Sequence, residues 1–113
     1  MVKKPYIPDR GDIVWLNFDP QSGHEQKGKR PAFVLSPIIY NQKVGLALFC
    51  PVTSQIKGYP FEVKLRHLKE IEGVVLSDQI KSLDWQAREA EFIEKAPDSI
   101  TNEVILLLNT ILQ

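Results

Sequence analysis

Apolar and polar positions fall into short runs along most of the chain and change to a helical period only near its end. Asp12-Ile13-Val14-Trp15-Leu16-Asn17-Phe18 is mostly apolar and is bounded by Gly11 and by Asp19-Pro20. Such a run predicts a strand buried on much of both faces. Gln21 to Lys29 is polar, with glycines at 23 and 28, and reads as a loop. Pro31 to Ser36 returns to strand character and stops at Pro37. Leu46 to Val52 is a further apolar run, in which Pro51 marks an edge, a bulge or a strand end. Phe61-Glu62-Val63-Lys64-Leu65 alternates, so one face is core and the other solvent. Gly73-Val74-Val75-Leu76 is another strand, leading into Ser77-Asp78-Gln79, and Ile80 to Arg88 holds a further strand or a short turn.

The helical period begins after Pro97-Asp98-Ser99, with Asp98 or Ser99 as the expected N-cap. Ile100, Val104, Leu107, Leu108, Ile111 and Leu112 form one apolar stripe facing a core. Short strands followed by a terminal helix predict an α+β, mainly β fold, a small barrel with a C-terminal helix.

A chain of 113 residues predicts one domain over residues 1–113. Hydrophobic content of 43% and charged content of 25% are ordinary for a globular protein. Cys50 is alone and lies in the apolar run Leu46-Ala47-Leu48-Phe49-Cys50. A buried, inert thiol is expected there rather than a nucleophile. A single cysteine, no signal-peptide pattern and no apolar run near the roughly 18 residues of a membrane span point to the cytoplasm.

Net charge is zero, but it is unevenly spread. Residues 1–69 hold eight Lys and three Arg against three Asp and two Glu. Residues 70–113 hold two Lys and one Arg against three Asp and six Glu. Such asymmetry fits a polyanion-binding region beside an acidic one, or two segments that neutralise each other in the fold.

The densest polar stretch is Gly23-His24-Glu25-Gln26-Lys27-Gly28-Lys29-Arg30-Pro31. It offers a base in His24 or Glu25 and a phosphate-binding fork in Arg30. RNA cleavage by 2′-hydroxyl attack needs a proton acceptor, a proton donor and donors to a charged transition state. All three residue types occur here, although a solvated hairpin loop has the same composition. Thr53 and Ser54 end one strand, and Asp78 and Gln79 end another; each pair suits either a ligand or an ordinary turn. His24 and His67 are the only histidines and form no ligand-spaced cluster with Cys50, so no metal site is expected. No phosphate-cradling glycine motif appears, and no cofactor is expected.

In order, Gly11-Asp12-Ile13-Val14-Trp15, Phe18-Asp19-Pro20, Gly23-His24-Glu25-Gln26, Arg30-Pro31-Ala32, Val34-Leu35-Ser36, Pro51-Val52-Thr53 and Gly73 to Gln79 precede the helix. Together they resemble the MazF/PemK (Kid)/ChpB family of type II toxin–antitoxin endoribonuclease toxins, and MazF most of all. The resemblance covers almost the whole chain. It implies a strongly twisted SH3-like barrel that forms a homodimer. It implies metal-independent cutting of single-stranded RNA, mostly mRNA, at short sequences, leaving 2′,3′-cyclic phosphate and 5′-hydroxyl ends. It also implies a MazE-like antitoxin whose tail covers the RNA groove, and promoter DNA bound by the toxin–antitoxin complex.

By position, Arg30 and Thr53 match the family's catalytic arginine and threonine, with His24 and Glu25 beside them. Asp78 matches the acidic residue that PemK/Kid pairs with an arginine two places earlier; here that place is Leu76, so the MazF arrangement fits better. Arginine stays protonated, so Arg30 suits charge stabilisation and Glu25 or His24 is the expected base. Lys57, Asp78, Gln79 and Arg88 are the expected substrate contacts. Two other classes share this fold-level pattern: a CcdB-like poison of DNA gyrase without nuclease chemistry, and a small nucleic-acid-binding barrel without activity.

Overall fold

A computed structural model describes residues 5–18 and 28–113. His24 and Glu25, the expected base, lie outside the described residues. The described elements are β1 (Asp12–Asn17), β2 (Lys29–Val34), α1 (Ile38–Val44), β3 (Leu46–Thr53), β4 (Glu62–Lys64), β5 (Val74–Leu76), β6 (Lys81–Asp84), β7 (Glu91–Lys95) and α2 (Asp98–Leu112). The order across the sheet is β4-β5-β3-β2-β1-β7, with β6 also paired to β3, and every pairing is antiparallel.

β3 holds this small barrel-like arrangement together. Leu46 to Phe49 pair with β6, and Val52 and Thr53 pair with β5. Pro51 sits where β3 passes from one partner to the other, a place where a missing N–H costs little. The alternation of side chains then divides the core into two layers. Ile13, Phe33, Cys50, Val52, Val63 and Val75 pack beneath Ile100 and Val104 of α2. Val14, Leu16, Ala32, Val34, Ala47 and Phe49 pack around Trp85 on the other side. β1 over most of its length, and β2 from Ala32 to Val34, are thus buried on both faces, as their apolar runs require.

Two elements go beyond the sequence reading. α1 follows Pro37, closes at Gly45 in the left-handed region (φ 77°) and buries only Asn41. The Asn41 side chain donates to the Pro8 and Ser36 carbonyls at 2.8 and 2.9 Å, and its backbone carbonyl accepts the Trp85 indole N–H at 3.0 Å. β7 pairs with β1 through a register shift between Ile13 and Val14. The expected side-chain cap on α2 is corrected: Pro97 occupies the N-cap with extended backbone and no side-chain hydrogen bond. Asp98 is instead the first helical residue, where its charge complements the helix dipole. The α2 stripe also leaves the core early, with Ile111 and Leu112 49% and 69% exposed.

Candidate active site

The site arises where β2 and β3 stop pairing. Their register runs Val34 with Phe49, Phe33 with Cys50 and Ala32 with Pro51. Leu35 N–H donates to the Leu48 carbonyl at 2.8 Å, so the odd-numbered residues of β2 turn their N–H toward β3. Pro31 is next in that series and has no N–H to give, so the ladder ends there. Carried one residue further, the same register sets Arg30 opposite Thr53. The strands part instead, and a cleft of about 840 Å³ opens between them, lined by both residues.

The Arg30 side chain is exposed and makes no hydrogen bond or ion pair among the described residues. Its guanidinium is therefore available to an anion. Thr53 Oγ1 accepts the Gln55 N–H at 3.1 Å, which leaves the hydroxyl proton to be donated into the cleft. Thr53 is held from behind by β5. A Cβ on Gly73 (φ +124°) would lie 2.3 Å from the Thr53 carbonyl oxygen, so only glycine allows this approach.

The cleft wall beyond Thr53 is the segment from Gln55 to Tyr59. Glu62 organises it: its carboxylate accepts the backbone N–H of Lys57 and Gly58 at 3.0 and 3.1 Å. Gln79 and Lys81 line the opposite side, and Lys81 Nζ lies 6.0 Å from the centre of the Phe18 ring. Glu62 is the one carboxylate lining the cleft among the described residues, against Arg30, Lys57 and Lys81. The cleft is therefore cationic although the chain as a whole is neutral.

Of the residues singled out by sequence, Arg30, Thr53, Lys57 and Gln79 line this cleft. Asp78 stands behind the wall and accepts the Tyr59 hydroxyl at 2.5 Å. Arg88 is placed elsewhere: its guanidinium donates to the Asn17 and Phe18 carbonyls at 3.2 and 3.0 Å, fastening the end of β1. Phe18 and Gly28 both line the cleft, and Phe18 N–H donates to the Gly28 carbonyl at 2.8 Å. Tyr59 and Lys81 escaped the sequence reading; an aromatic between Gly58 and Pro60 in a polar turn was the available signal. Cys50 is fully buried, and burial pushes its thiol up to about 12, as an inert core residue requires. No group of three or more His, Cys, Asp or Glu that could hold a metal occurs among the described residues.

Residues 9–112 match the family described as PemK-like, MazF-like toxin of type II toxin–antitoxin system. The chain is 56% identical over 85 residues to the endoribonuclease toxin MazF of Escherichia coli (strain K12), covering 75% of this chain and 76% of that protein. It is 43% identical over 119 residues to the endoribonuclease toxin ChpB of the same strain, covering 100% of both. A crystal structure of MazE–MazF from Deinococcus radiodurans superposes with a TM-score of 0.85 at 48% identity, covering 96% of this chain and 97% of that one. The chain belongs to the PemK-like, MazF-like toxins of type II toxin–antitoxin systems.

Proposed function

We propose that this chain, an endoribonuclease toxin like the relatives it matches, cuts single-stranded RNA in the Arg30–Thr53 cleft by attack of the substrate's own 2′-hydroxyl. The observation that supports this most is that Arg30, whose guanidinium has no partner among the described residues, and the Thr53 hydroxyl line one cationic cleft.

In the reaction the 2′-oxygen bonds to the adjacent phosphorus and loses its proton to Glu25 or His24. The bond from phosphorus to the 5′-oxygen breaks, and that oxygen takes a proton from water while the base returns its own to solvent. The products carry a 2′,3′-cyclic phosphate and a 5′-hydroxyl. Negative charge on the phosphorane-like transition state is met by Arg30, while Thr53 donates to a phosphate oxygen. Because the nucleophile is part of the substrate, no metal is needed to generate it. An open, single-stranded segment suits the cleft, since base edges are readable only when unpaired. Lys57 and Gln79 line the path of such a strand.

The solved MazE–MazF complex supports a partner antitoxin and a dimer. We assign the chain a MazE-like antitoxin that covers this cleft, a homodimeric state, and promoter DNA bound as the toxin–antitoxin complex. No helix among the described residues is long and apolar enough to cross a membrane, and a cytoplasmic site of action fits an mRNA substrate. The CcdB-like, gyrase-poisoning alternative is not favoured, because a gyrase poison has no use for a paired guanidinium and hydroxyl in a cationic cleft.

The test is incubation with a long RNA in EDTA. Fragments ending in cyclic phosphate are expected, and intact RNA overturns the reading. Arg30→Ala is expected to lower the rate by about 10²–10³-fold with the fold retained by circular dichroism. Arg30→Lys is expected to recover only part of it, because a point charge does not match the fork of the guanidinium. Normal cutting by folded Arg30→Ala refutes the assignment.

A further inference from the structure

The wall of the cleft carries an aromatic ring that is both exposed and fixed. Tyr59 lines the cleft and is 45% exposed, yet its hydroxyl donates to Asp78 Oδ2 at 2.5 Å. Its ring leans on Phe61 with centroids 5.9 Å apart and an interplanar angle of 47°. Its backbone carbonyl accepts the Glu62 N–H at 3.0 Å. The residues before it are anchored as well, through the Glu62 carboxylate on Lys57 and Gly58 N–H. An exposed aromatic on a surface loop ordinarily samples several rotamers. Here the turn is tied at its backbone, and the ring at its tip and its side.

A ring held in one orientation beside a cationic cleft has a specific use. Every unpaired base offers a π-face, and stacking on a preorganised aromatic loses little side-chain freedom on binding. We propose that Tyr59 is a positioning residue, a platform on which one unpaired base of the substrate stacks, and that Asp78 acts through it as the brace that sets its angle. The proposal rests on the endoribonuclease reading above and adds the contact that fixes the strand relative to Arg30 and Thr53. It assigns Asp78 no direct part in proton transfer. The Asp78 carboxylate accepts from Tyr59 at Oδ2, and its Oδ1 is buried without a partner among the described residues.

The experiment has two stages. The wild-type chain is first used to cut a long RNA and the cut sites are mapped; if nothing is cut, the endoribonuclease reading fails and this inference falls with it. An oligonucleotide spanning one cut is then made with a 2′-deoxy scissile nucleotide and with 2-aminopurine at each flanking position in turn. Stacking on Tyr59 is read as fluorescence quenching at one position. Tyr59→Leu is expected to abolish that quenching and, on the cleavable oligonucleotide, to raise KM by about 5–150-fold with kcat little changed. Tyr59→Phe keeps the ring and is expected to raise KM less. Asp78→Ala is expected to match Tyr59→Phe, and the double variant Y59F/D78A to be no worse than either alone. Unchanged KM and quenching in Tyr59→Leu overturns the platform. A fall in kcat on adding Asp78→Ala to Tyr59→Phe overturns the brace, because Asp78 would then act on the substrate itself.

Discussion

Single residues set the chemistry and the acid sensitivity of this molecule. Asp9 accepts N–H groups from Arg10 and Ile38 at 2.8 and 2.9 Å and lies 3.6 Å from Lys95 Nζ. Burial works to raise its pKa, but the two backbone N–H groups and Lys95 outweigh it and leave the carboxyl below its ordinary 3.8. A depressed folded-state value contributes stability that is complete above the ordinary value and lost as pH falls below it. Asp9→Asn is therefore expected to flatten the fall of Tm between about pH 5 and pH 3, measured by thermal melts across that range; an unchanged slope counts against the role. At this scale Arg30 and Thr53 were singled out through the family resemblance, since by residue type alone an arginine and a threonine at strand ends suit an ordinary surface or turn as well as a ligand. Tyr59 was not, because its worth depends on Asp78, nineteen positions away in the chain, holding its hydroxyl.

At the scale of elements, the decisive feature is an absence of pairing. An N–H faces β3 at Phe33 of β2 and at Leu35 just beyond its end, and none does at Pro31. Pro31→Ala restores a donor opposite the Val52 carbonyl and allows the ladder to extend toward Arg30. The expected outcome is a fall in kcat/KM of about tenfold or more, with Tm moved by no more than a few degrees, since a new hydrogen bond offsets the lost rigidity of proline. Steady-state cleavage and calorimetry on one preparation decide it; full activity in the alanine variant removes this account of the cleft. The strands β1 to β5 were readable from apolar runs and alternation. α1 was not, because Ile38, Ile39, Tyr40 and Val44 are all exposed by 41% or more and give it no buried stripe. β7 was missed because Phe92, 49% exposed, breaks the burial alternation that a strand ordinarily shows.

For the whole molecule, the exposed apolar surface is the feature that a lone copy does not explain. Ile39 of α1 and Leu106 and Leu112 of α2 are 74%, 66% and 69% exposed. A shallow groove lined by Leu35, Tyr40, Leu48, Ile105 and Leu108 runs between the two helices. Patches of this kind in soluble proteins mark association surfaces. Sedimentation is expected to give twice the chain mass of 12.9 kDa. Leu106→Glu, on the exposed face of α2, is expected to reduce it to one, and a wild-type monomer at micromolar concentration overturns the homodimer. The barrel class and the terminal helix could be read from the sequence, whereas the surface between α1 and α2 could not, because it joins segments that only the fold brings side by side.

The two halves of the cleft stand on supports of unequal tenacity. Arg30 belongs to a strand flanked by β1 of six residues and β3 of eight, while Thr53 is backed by β5, whose outer companion β4 has three residues and no further strand beyond it among the described residues. Fraying starts at such rims. Moderate warming is therefore expected to loosen the Thr53 side of the cleft first, read as a reversible loss of RNA cutting below the melting transition; cutting that persists up to that transition counts against it.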